Sequence, residues 1–321
     1  MTKANLQTGK SVEIGNKKSV WKKLLASWQL YVFLLPAILY FVIFKYIPMA
    51  GVQIAFKEYV APLGIWGSPW VGAEHFQRFF STTDFWMILK NTIVLNVYNL
   101  IVGFPIPIIL ALMLNQTRNL KFKKVVQTTI YAPHFISVVV IAGMIKIFLS
   151  PSTGIINMFI QAIGMDPVFF MAQPEYFKTI YVISDVWQNA GYSTIVYMAA
   201  LAAVGPELHE SALVDGATTF QRIRYIDFPS ILPTAITLLI LNAGRMLTIG
   251  FEKIYLLQNE LNRSSSEVIS TYVYKVGFGA VTGLPDFSYA AAVGLFESVV
   301  SLIILLIVNK LAAKYSETSV L

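Results

Sequence analysis

Residues 210–229 read ESALVDGATTFQRIRYIDFP, and this polar stretch separates two long apolar segments of the chain. Pro206, just before it, suits the first turn of a helix, where the missing N–H of proline costs nothing. Gly216 can take a positive φ angle without penalty and so predicts a sharp turn. Thr218 or Thr219 can cap a second short helix. The stretch therefore predicts a helix–turn–helix between the two apolar segments.

Two interpretations of this element remain open from its residues alone. Phe220, Ile223 and Ile226 share one face of the second helix, as in an amphipathic loop that lies on a membrane surface. The same compact, charged element could equally project from the membrane to contact a partner protein.

The composition places the chain among integral membrane proteins. Of its 321 residues, 56% are hydrophobic and 13% are charged, with a mean hydropathy of +0.64, whereas soluble domains carry about 25% charged residues. The net charge is +7, but the basic residues flank apolar segments, which membrane topology explains better than nucleic-acid binding. Because the chain has no cysteine, disulfides and thiol chemistry are excluded.

The sequence carries no pattern typical of an enzyme or a metal site. His75, His134 and His209 are far apart in sequence and lack the spacing of metal ligands. The motif TGKS at residues 8–11 resembles the end of a phosphate-binding loop, but that loop requires a glycine where Ala4 stands. Neither G-x-S-x-G nor H-E-x-x-H occurs. We therefore predict that this chain is not an enzyme and binds neither a metal ion nor ATP.

Six segments are apolar and long enough, at about 20 residues, to cross a bilayer as helices. They cover residues 29–47, 88–114, 125–149, 179–204, 231–251 and 289–308. The sequence thus predicts an all-α membrane protein with six transmembrane helices. The predicted organisation comprises a tail (1–28), a six-span domain (29–309) that includes a loop between spans four and five (205–229), and a second tail (310–321).

Basic residues orient these spans, because cytoplasmic loops are enriched in lysine and arginine. Four regions that six spans would place on one side carry Lys17, Lys18, Lys22, Lys23, Arg118, Lys121, Lys123, Lys124, Arg222, Arg224, Lys310 and Lys314. Both termini and the 205–229 loop are therefore predicted to be cytoplasmic. The first external segment is rich in aromatic residues, Trp66 and Trp70 among them, which suits either an interfacial belt or a docking surface for an external partner.

The polar stretch resembles a motif of one transporter family. Its residues fit the pattern E-A-A-x-x-D-G-A followed by a proline twelve positions later, through Glu210, Ala212, Asp215, Gly216, Ala217 and Pro229. Ser211 takes the second position, a small residue in place of alanine. This is similar to the EAA loop of permeases from binding-protein-dependent ABC importers, which reside in the bacterial cytoplasmic membrane. The resemblance implies that these seven residues belong to a coupling helix that sits in a cleft of a cytoplasmic ATPase.

A second resemblance narrows the family to its carbohydrate branch. The stretches GFEKIYLLQN (250–259), VISTYVYKVG (268–277) and the segment at 286–312 are similar to permeases for oligosaccharides such as alginate fragments. Such a resemblance implies a second related permease, two ATPase subunits that bind ATP and magnesium, and an external solute-binding protein. It implies no cofactor in this chain and no nucleic-acid partner.

Polar residues in the fourth predicted span are candidates for a sugar pathway. Gln188 and Asn189 can bind sugar hydroxyls, while Trp187 and Tyr192 can stack on sugar faces. Gly191 is interpreted as a break in the helix. Contacts between packed helices would use the same small and polar residues, so both interpretations stand.

Charged and amide groups elsewhere in the spans are further candidates. Arg245 either pairs with Glu297 between helices or faces the pathway, where its guanidinium would bind a sugar carboxylate. The second alternative favours an acidic oligosaccharide. Asn242 is a candidate for the same pathway, whereas Lys146 lies near a span end and is expected to reach the membrane interface.

The sequence leaves two rival functions. An ABC importer permease for another solute, such as an amino acid or a peptide, would share the EAA loop. A carrier or membrane-embedded enzyme that works alone is disfavoured because the spans contain no clustered acids. The favoured prediction is an oligosaccharide importer subunit.

Overall fold

The structure, a computed structural model, describes residues 28–244, 247, 250–279 and 283–315. Within these ranges every extended regular element is a helix, and the β-structure consists of one isolated bridge between Lys57 and Trp70. The all-α prediction is confirmed for this part of the chain. The described residues up to 53 form one unit, and those from 54 onward form a second.

The described residues of the first unit, 28–53, lie in one helical run that continues to Phe56. Helix α1 spans Trp28–Phe41 and is continued by a π-helical turn (Val42–Tyr46), a helical turn (Ile47–Met49) and a 3₁₀ segment (Ala50–Phe56). No residue of α1 is buried. The run from residue 28 to residue 56 is apolar and long enough to cross a membrane.

The second unit begins with short elements and then a long apolar rod. A 3₁₀ turn (Ala61–Leu63) and a helical turn (Gly64–Gly67) precede α2 (Glu74–Ser81). Helices α3 (Phe85–Gly103) and α4 (Pro105–Asn115) follow with only Phe104 between them. Pro105 can begin α4 because the first turn of a helix needs no proline N–H. Together α3 and α4 form a second apolar run of membrane-spanning length.

The third predicted span is not a straight helix. Helix α5 (Leu120–Tyr131) and a 3₁₀ turn (Ala132–Phe135) meet α6 (Val138–Phe148) at an angle of 97°. Pro133 cannot continue the α-helical hydrogen bonds, and the Ser137 side chain caps α6 by accepting from the Val140 N–H. The predicted third span at residues 125–149 is therefore divided into two helices, because a proline and a capping serine bend the chain.

Helix α7 (Ile155–Ala162) leads to α8 (Pro174–Ala202), a 29-residue helix. Gly191 lies inside α8 and does not break it. A Cβ at this position would collide with the backbone carbonyl oxygen of Ile130 in α5. Glycine therefore serves close helix packing here, which corrects its interpretation as a helix break.

The polar stretch forms a helix–turn–helix. Helix α9 (Pro206–Val214) ends at a turn in which Gly216 has a φ of 76°. Thr218 then caps α10 (Thr219–Arg222) in a reciprocal arrangement with Gln221. A π-helical turn (Ile223–Asp227) joins α10 to α11 (Phe228–Gly244).

The remaining helices complete the second unit. They are α12 (Phe251–Leu257), α13 (Arg263–Ser266), α14 (Ile269–Gly277) and α15 (Phe287–Tyr315). Among the described residues, four runs are apolar and long enough to span a membrane, and the bent α5–α6 pair would be a fifth. Helix α8 is long enough but is not among them, because residues such as Asp185, Gln188 and Asn189 make it too polar.

Three clusters of buried side chains hold this unit together. The first joins α2, α3, α14 and α15, and the second joins α3, α6, α8 and α12. The third joins α4, α8 and α11. Helices α3 and α8 each enter two of the three clusters, and α8 also packs against α5 and α13, which makes it the central helix of the bundle. Tyr181 from α8 lies against Gly250, where any Cβ would collide with the tyrosine hydroxyl.

Candidate functional site

A cavity of about 430 Å³ lies between α3, α4, α8 and α11. Its polar lining comes from the Asp185 carboxylate and from amide and hydroxyl groups, namely Asn96, Asn99, Asn189, Tyr192, Ser193, Tyr197 and Asn242. Asp185, Asn189 and Tyr192 recur at helical spacing and therefore share one face of α8. The cavity offers both hydrogen-bond donors and acceptors within an otherwise apolar bundle.

The charged group of the cavity is neutralised by a neighbouring helix. Asp185 Oδ1 lies 3.0 Å from Lys253 Nζ, and the Lys253 side chain is only 4% exposed. Asn189 also donates to Asp185 Oδ1 at 2.9 Å, and Asn99 donates to Oδ2 at 3.2 Å. The carboxylate is thus paired and hydrogen-bonded, as charged groups within membrane bundles usually are.

His134 supports two residues of the cavity wall. Its Nδ1 is 3.1 Å from Asn189 Oδ1, and its ring stacks on Tyr192 with centroids 4.0 Å apart. These contacts limit the rotamers of Asn189 and Tyr192. His134 comes from the 3₁₀ turn at the bend between α5 and α6, so the bend supports the site.

Three of the predicted pathway residues meet at this cavity: Asn189, Tyr192 and Asn242. Gln188 points elsewhere, is buried and donates to the Ile136 carbonyl at 3.2 Å. Trp187 lines a separate apolar cavity between α6, α7 and α8. Because adjacent residues of a helix face different directions, Trp187, Gln188 and Asn189 contact different parts of the protein.

The structure describes only one partner, Glu297, of the predicted pair of Arg245 and Glu297. Glu297 is buried in α15, and its Oε1 has no hydrogen-bond partner among the described residues. Arg245 lies outside the described residues.

Sequence reasoning did not identify Asn99, Asp185 and Lys253 as site residues. Asp185 lies one helical turn before Asn189, and that spacing was the available signal. Lys253 carried no such signal, because 68 residues separate it from Asp185.

Most residues of the predicted coupling loop lie at the surface. Glu210, Ser211, Asp215, Gly216 and Pro229 are exposed, while Ala212 and Ala217 are partly buried. The Ala217 N–H donates to the Ala212 carbonyl at 2.8 Å and closes the turn. Next to them, large apolar side chains point outward, with Val214 89% and Phe220 69% exposed. Exposed apolar groups on a compact loop are typical of a surface that binds another protein.

Comparison with known proteins adds independent findings. The family described as "Binding-protein-dependent transport system inner membrane component" matches residues 90–317. The chain is 43% identical over 304 residues, 95% of its length and 94% of the relative's, to the polygalacturonan/rhamnogalacturonan transport system permease protein YteP of Bacillus subtilis (strain 168). It is also 43% identical over 290 residues to protein LplB of the same organism, covering 90% of this chain and 89% of that one.

Solved structures show the same similarity in three dimensions. One is a bacterial ABC transporter involved in the import of the acidic polysaccharide alginate, whose matching chain gives a TM-score of 0.84 at 43% identity. That match covers 92% of this chain and 99% of the other. A second structure is a bacterial alginate ABC transporter in complex with an alginate pentasaccharide-bound periplasmic protein. It gives the same TM-score and identity, and the match covers 94% of this chain and 99% of the other.

Proposed function

Because the chain belongs to the family of binding-protein-dependent transport system inner membrane components, we propose that it is a permease subunit of an ABC importer for oligosaccharides. The family predicted from residues 210–229 is thereby confirmed. The observation that carries the proposal is the 43% identity, over nearly the whole chain, to a polygalacturonan/rhamnogalacturonan permease. The relatives are transport subunits, which supports a role in transport without catalysis by this chain.

The proposed topology has six spans with both termini in the bacterial cytoplasm. Four apolar runs and the bent α5–α6 pair supply five spans, and α8 is proposed as the sixth. A polar helix can cross a bilayer when its polar side chains face a cavity or other helices, and α8 lines the cavity described above. The domain then spans residues 29–309, with tails at 1–28 and 310–321 and a cytoplasmic loop at 205–229.

The α9–α10 loop is proposed to bind one of two ATPase subunits. Its position at the surface and its exposed apolar side chains support this role for Glu210, Ser211, Ala212, Asp215, Gly216, Ala217 and Pro229. ATP and magnesium would bind to the ATPases. ATP-driven movement of the loop would switch the spans between outward and inward access.

The cavity between α3, α4, α8 and α11 is proposed as part of the sugar pathway. Asn189, Tyr192, Ser193 and Asn242 can donate and accept hydrogen bonds, as the hydroxyl groups of a sugar require. The related transporters handle polygalacturonan, rhamnogalacturonan and the acidic polysaccharide alginate, and this supports an acidic oligosaccharide. No basic residue lines the cavity among the described residues, so amide N–H groups would bind the sugar carboxylates there.

Two further partners complete the proposed assembly. A second permease would close the pathway on the side that this chain leaves open. An external solute-binding protein would deliver the sugar, and one of the related transporters has been solved in complex with such a protein. The exposed Trp66 and Trp70 rings suit docking of this protein.

Reconstitution into liposomes tests the proposal. The chain would be assembled with its second permease, two ATPases and the binding protein, and uptake of labelled uronate oligosaccharides would be measured against neutral ones of equal length. We expect uptake that depends on ATP and is inhibited by unlabelled uronate oligosaccharides. Uptake by this chain without any ATPase would instead support a carrier that works alone, and inhibition by amino acids or peptides would support an importer for those solutes.

A further inference from the structure

Asp227 is a buried carboxylate on which three parts of the chain converge. Its side chain is fully buried. Asn115 donates to Oδ1 at 3.1 Å, and Gln116 donates to Oδ2 at 2.6 Å. His209 Nε2 lies 3.3 Å from Oδ1. Asp227 thereby joins the end of α4, the middle of α9 and the start of α11.

The local backbone explains how Asp227 reaches this position. It is the last residue of the π-helical turn Ile223–Asp227, which separates α10 from α11. A π-helical turn shifts the direction of the following side chains, and such turns are frequent at functional sites. Here the turn directs Asp227 inward, while its neighbours Tyr225 and Phe228 stay exposed.

Helix α9 has few other attachments to the bundle. No residue of α9 is buried, and Leu208, Leu213 and Val214 on this helix are exposed. Apolar packing therefore contributes little to its position. The His209 side chain, by contrast, is 22% exposed and faces a fully buried carboxylate. A buried charge that loses one of its donors is strongly unfavourable, and so this contact fixes α9 more firmly than a surface contact would.

We propose that His209 and Asp227 form a latch that fastens the coupling helix α9 to the cytoplasmic ends of α4 and α11. The latch makes the three elements move together, so that a displacement of α9 by the ATPase reaches both spans. His209 and Asp227 are thus positioning residues. The inference rests on the proposed function, since it assumes that an ATPase moves α9.

Single substitutions in the complete reconstituted transporter test the latch. His209→Ala removes one donor, and Asp227→Asn removes the charge and turns one acceptor into a donor that faces Asn115 or Gln116. The readout is the number of sugars taken up per ATP hydrolysed. We expect this ratio to fall about tenfold while ATP hydrolysis persists, the size of effect that loss of a hydrogen bond to a charged group produces.

Ser230→Ala is the matched control. Ser230 is exposed near the start of α11, and among the described residues its hydroxyl donates to the Ile226 carbonyl of the adjoining turn at 2.7 Å. Its loss should therefore leave the ratio unchanged. An unchanged ratio in both latch variants would overturn the proposal. So would a parallel loss of assembled complex, hydrolysis and uptake, because that result indicates a role in folding alone.

A covalent replacement of the latch gives a second, independent test. The chain has no cysteine, so His209→Cys and Asn115→Cys can be combined and bridged with a short bifunctional thiol reagent. These two side chains meet at the same Asp227 oxygen. We expect the double-cysteine variant without the reagent to take up few sugars per ATP hydrolysed. Bridging the two cysteines should restore that ratio. If bridging instead blocks uptake further, α9 must slide against α4 during transport, and the latch is wrong.

The same experiments separate the two proposals. A native complex that shows no ATP-dependent sugar uptake would contradict the proposed function. A native complex that couples hydrolysis to uptake, with latch variants that behave like it, would contradict the latch alone.

Discussion

The buried Lys253 ammonium and the partly buried Asp185 carboxylate form an ion pair between α12 and α8, with Nζ and Oδ1 3.0 Å apart. Helix α12 begins after Gly250, whose φ is 91° and which lies against Tyr181 of α8. This close approach brings Lys253 next to Asp185, which lines the cavity. The pair links the two helices and leaves the cavity lining electrically neutral.

Breaking this pair from one side should destabilise the protein. Lys253→Met leaves the Asp185 carboxylate, which is 19% exposed, without its counter-charge. Loss of one partner of a fully buried pair costs about 3–5 kcal/mol, so the cost here should be smaller, whereas replacing both partners is often neutral. We expect a lower melting temperature for Lys253→Met in detergent and substantial recovery in Lys253→Met combined with Asp185→Leu. No recovery in the double variant would mean that the charges do not act as a pair.

An exposed pair in the same chain provides the control. Arg78 and Asp286 are 2.7 Å apart, but their side chains are 47% and 24% exposed. Exposed pairs contribute about 1 kcal/mol or less, and the Arg78 guanidinium also lies over the Tyr289 ring, 4.1 Å from its centroid. Arg78→Ala removes both contacts and should still lower the melting temperature less than Lys253→Met does.

Gly191→Ala should disrupt the packing of α8 against α5. The added methyl group would collide with the Ile130 carbonyl oxygen, and such overpacking costs about 1–3 kcal/mol. The melting temperature should fall. Gly294→Ala in α15 is the control, because nothing lies within 4 Å of a Cβ there. Alanine is also the better helix former, so that variant should be neutral or slightly stabilised.

Local signals in the sequence predicted the helix–turn–helix well. Pro206, Gly216 and Thr218 act on their own neighbours, and the structure places each in the expected role. The bend at Pro133 also had a local cause, but the long apolar stretch around it concealed the break. Gly191 had no local signal, since its role depends on a carbonyl from a different helix.

Contacts across the bundle were much harder to predict. The Asp185–Lys253 and His209–Asp227 pairs join residues far apart in sequence, and only the folded chain brings them together. In the sequence, Asn189 and Trp187 were equal candidates for sugar binding. An amide can bind sugar hydroxyls, an indole ring can stack on a sugar face, and the two residues lie only two positions apart. Their separation onto different faces of α8 became apparent only with the neighbouring helices in place.

Asn242 should contribute to sugar binding in the cavity. It lines the cavity from α11, and its amide makes no hydrogen bond to another described residue, so it is free to bind a sugar hydroxyl. Asn242→Leu should raise the sugar concentration for half-maximal uptake about tenfold, as expected for loss of one hydrogen bond, while ATP hydrolysis without sugar is retained.

Trp187→Leu is the matched control for this measurement. Trp187 is on α8 but faces the apolar cavity between α6, α7 and α8. Its substitution should leave the half-maximal concentration unchanged. If Trp187→Leu shifts that concentration and Asn242→Leu does not, the sugar passes elsewhere than through the cavity proposed here.

The exposed apolar tip of the α9–α10 loop should supply much of the binding energy for the ATPase. Val214 and Phe220 are 89% and 69% exposed, and burying such a side chain contributes about 1.5–3 kcal/mol. Phe220→Ser should therefore reduce the amount of ATPase that co-purifies with the permease at least tenfold. Leu261→Ser is a suitable comparison, because Leu261 is 68% exposed but lies in the segment between α12 and α13, which the proposed topology places outside the cell. Equal loss of the ATPase in both variants would indicate a general effect on the membrane domain, whereas loss in Phe220→Ser alone would assign the docking surface to the loop.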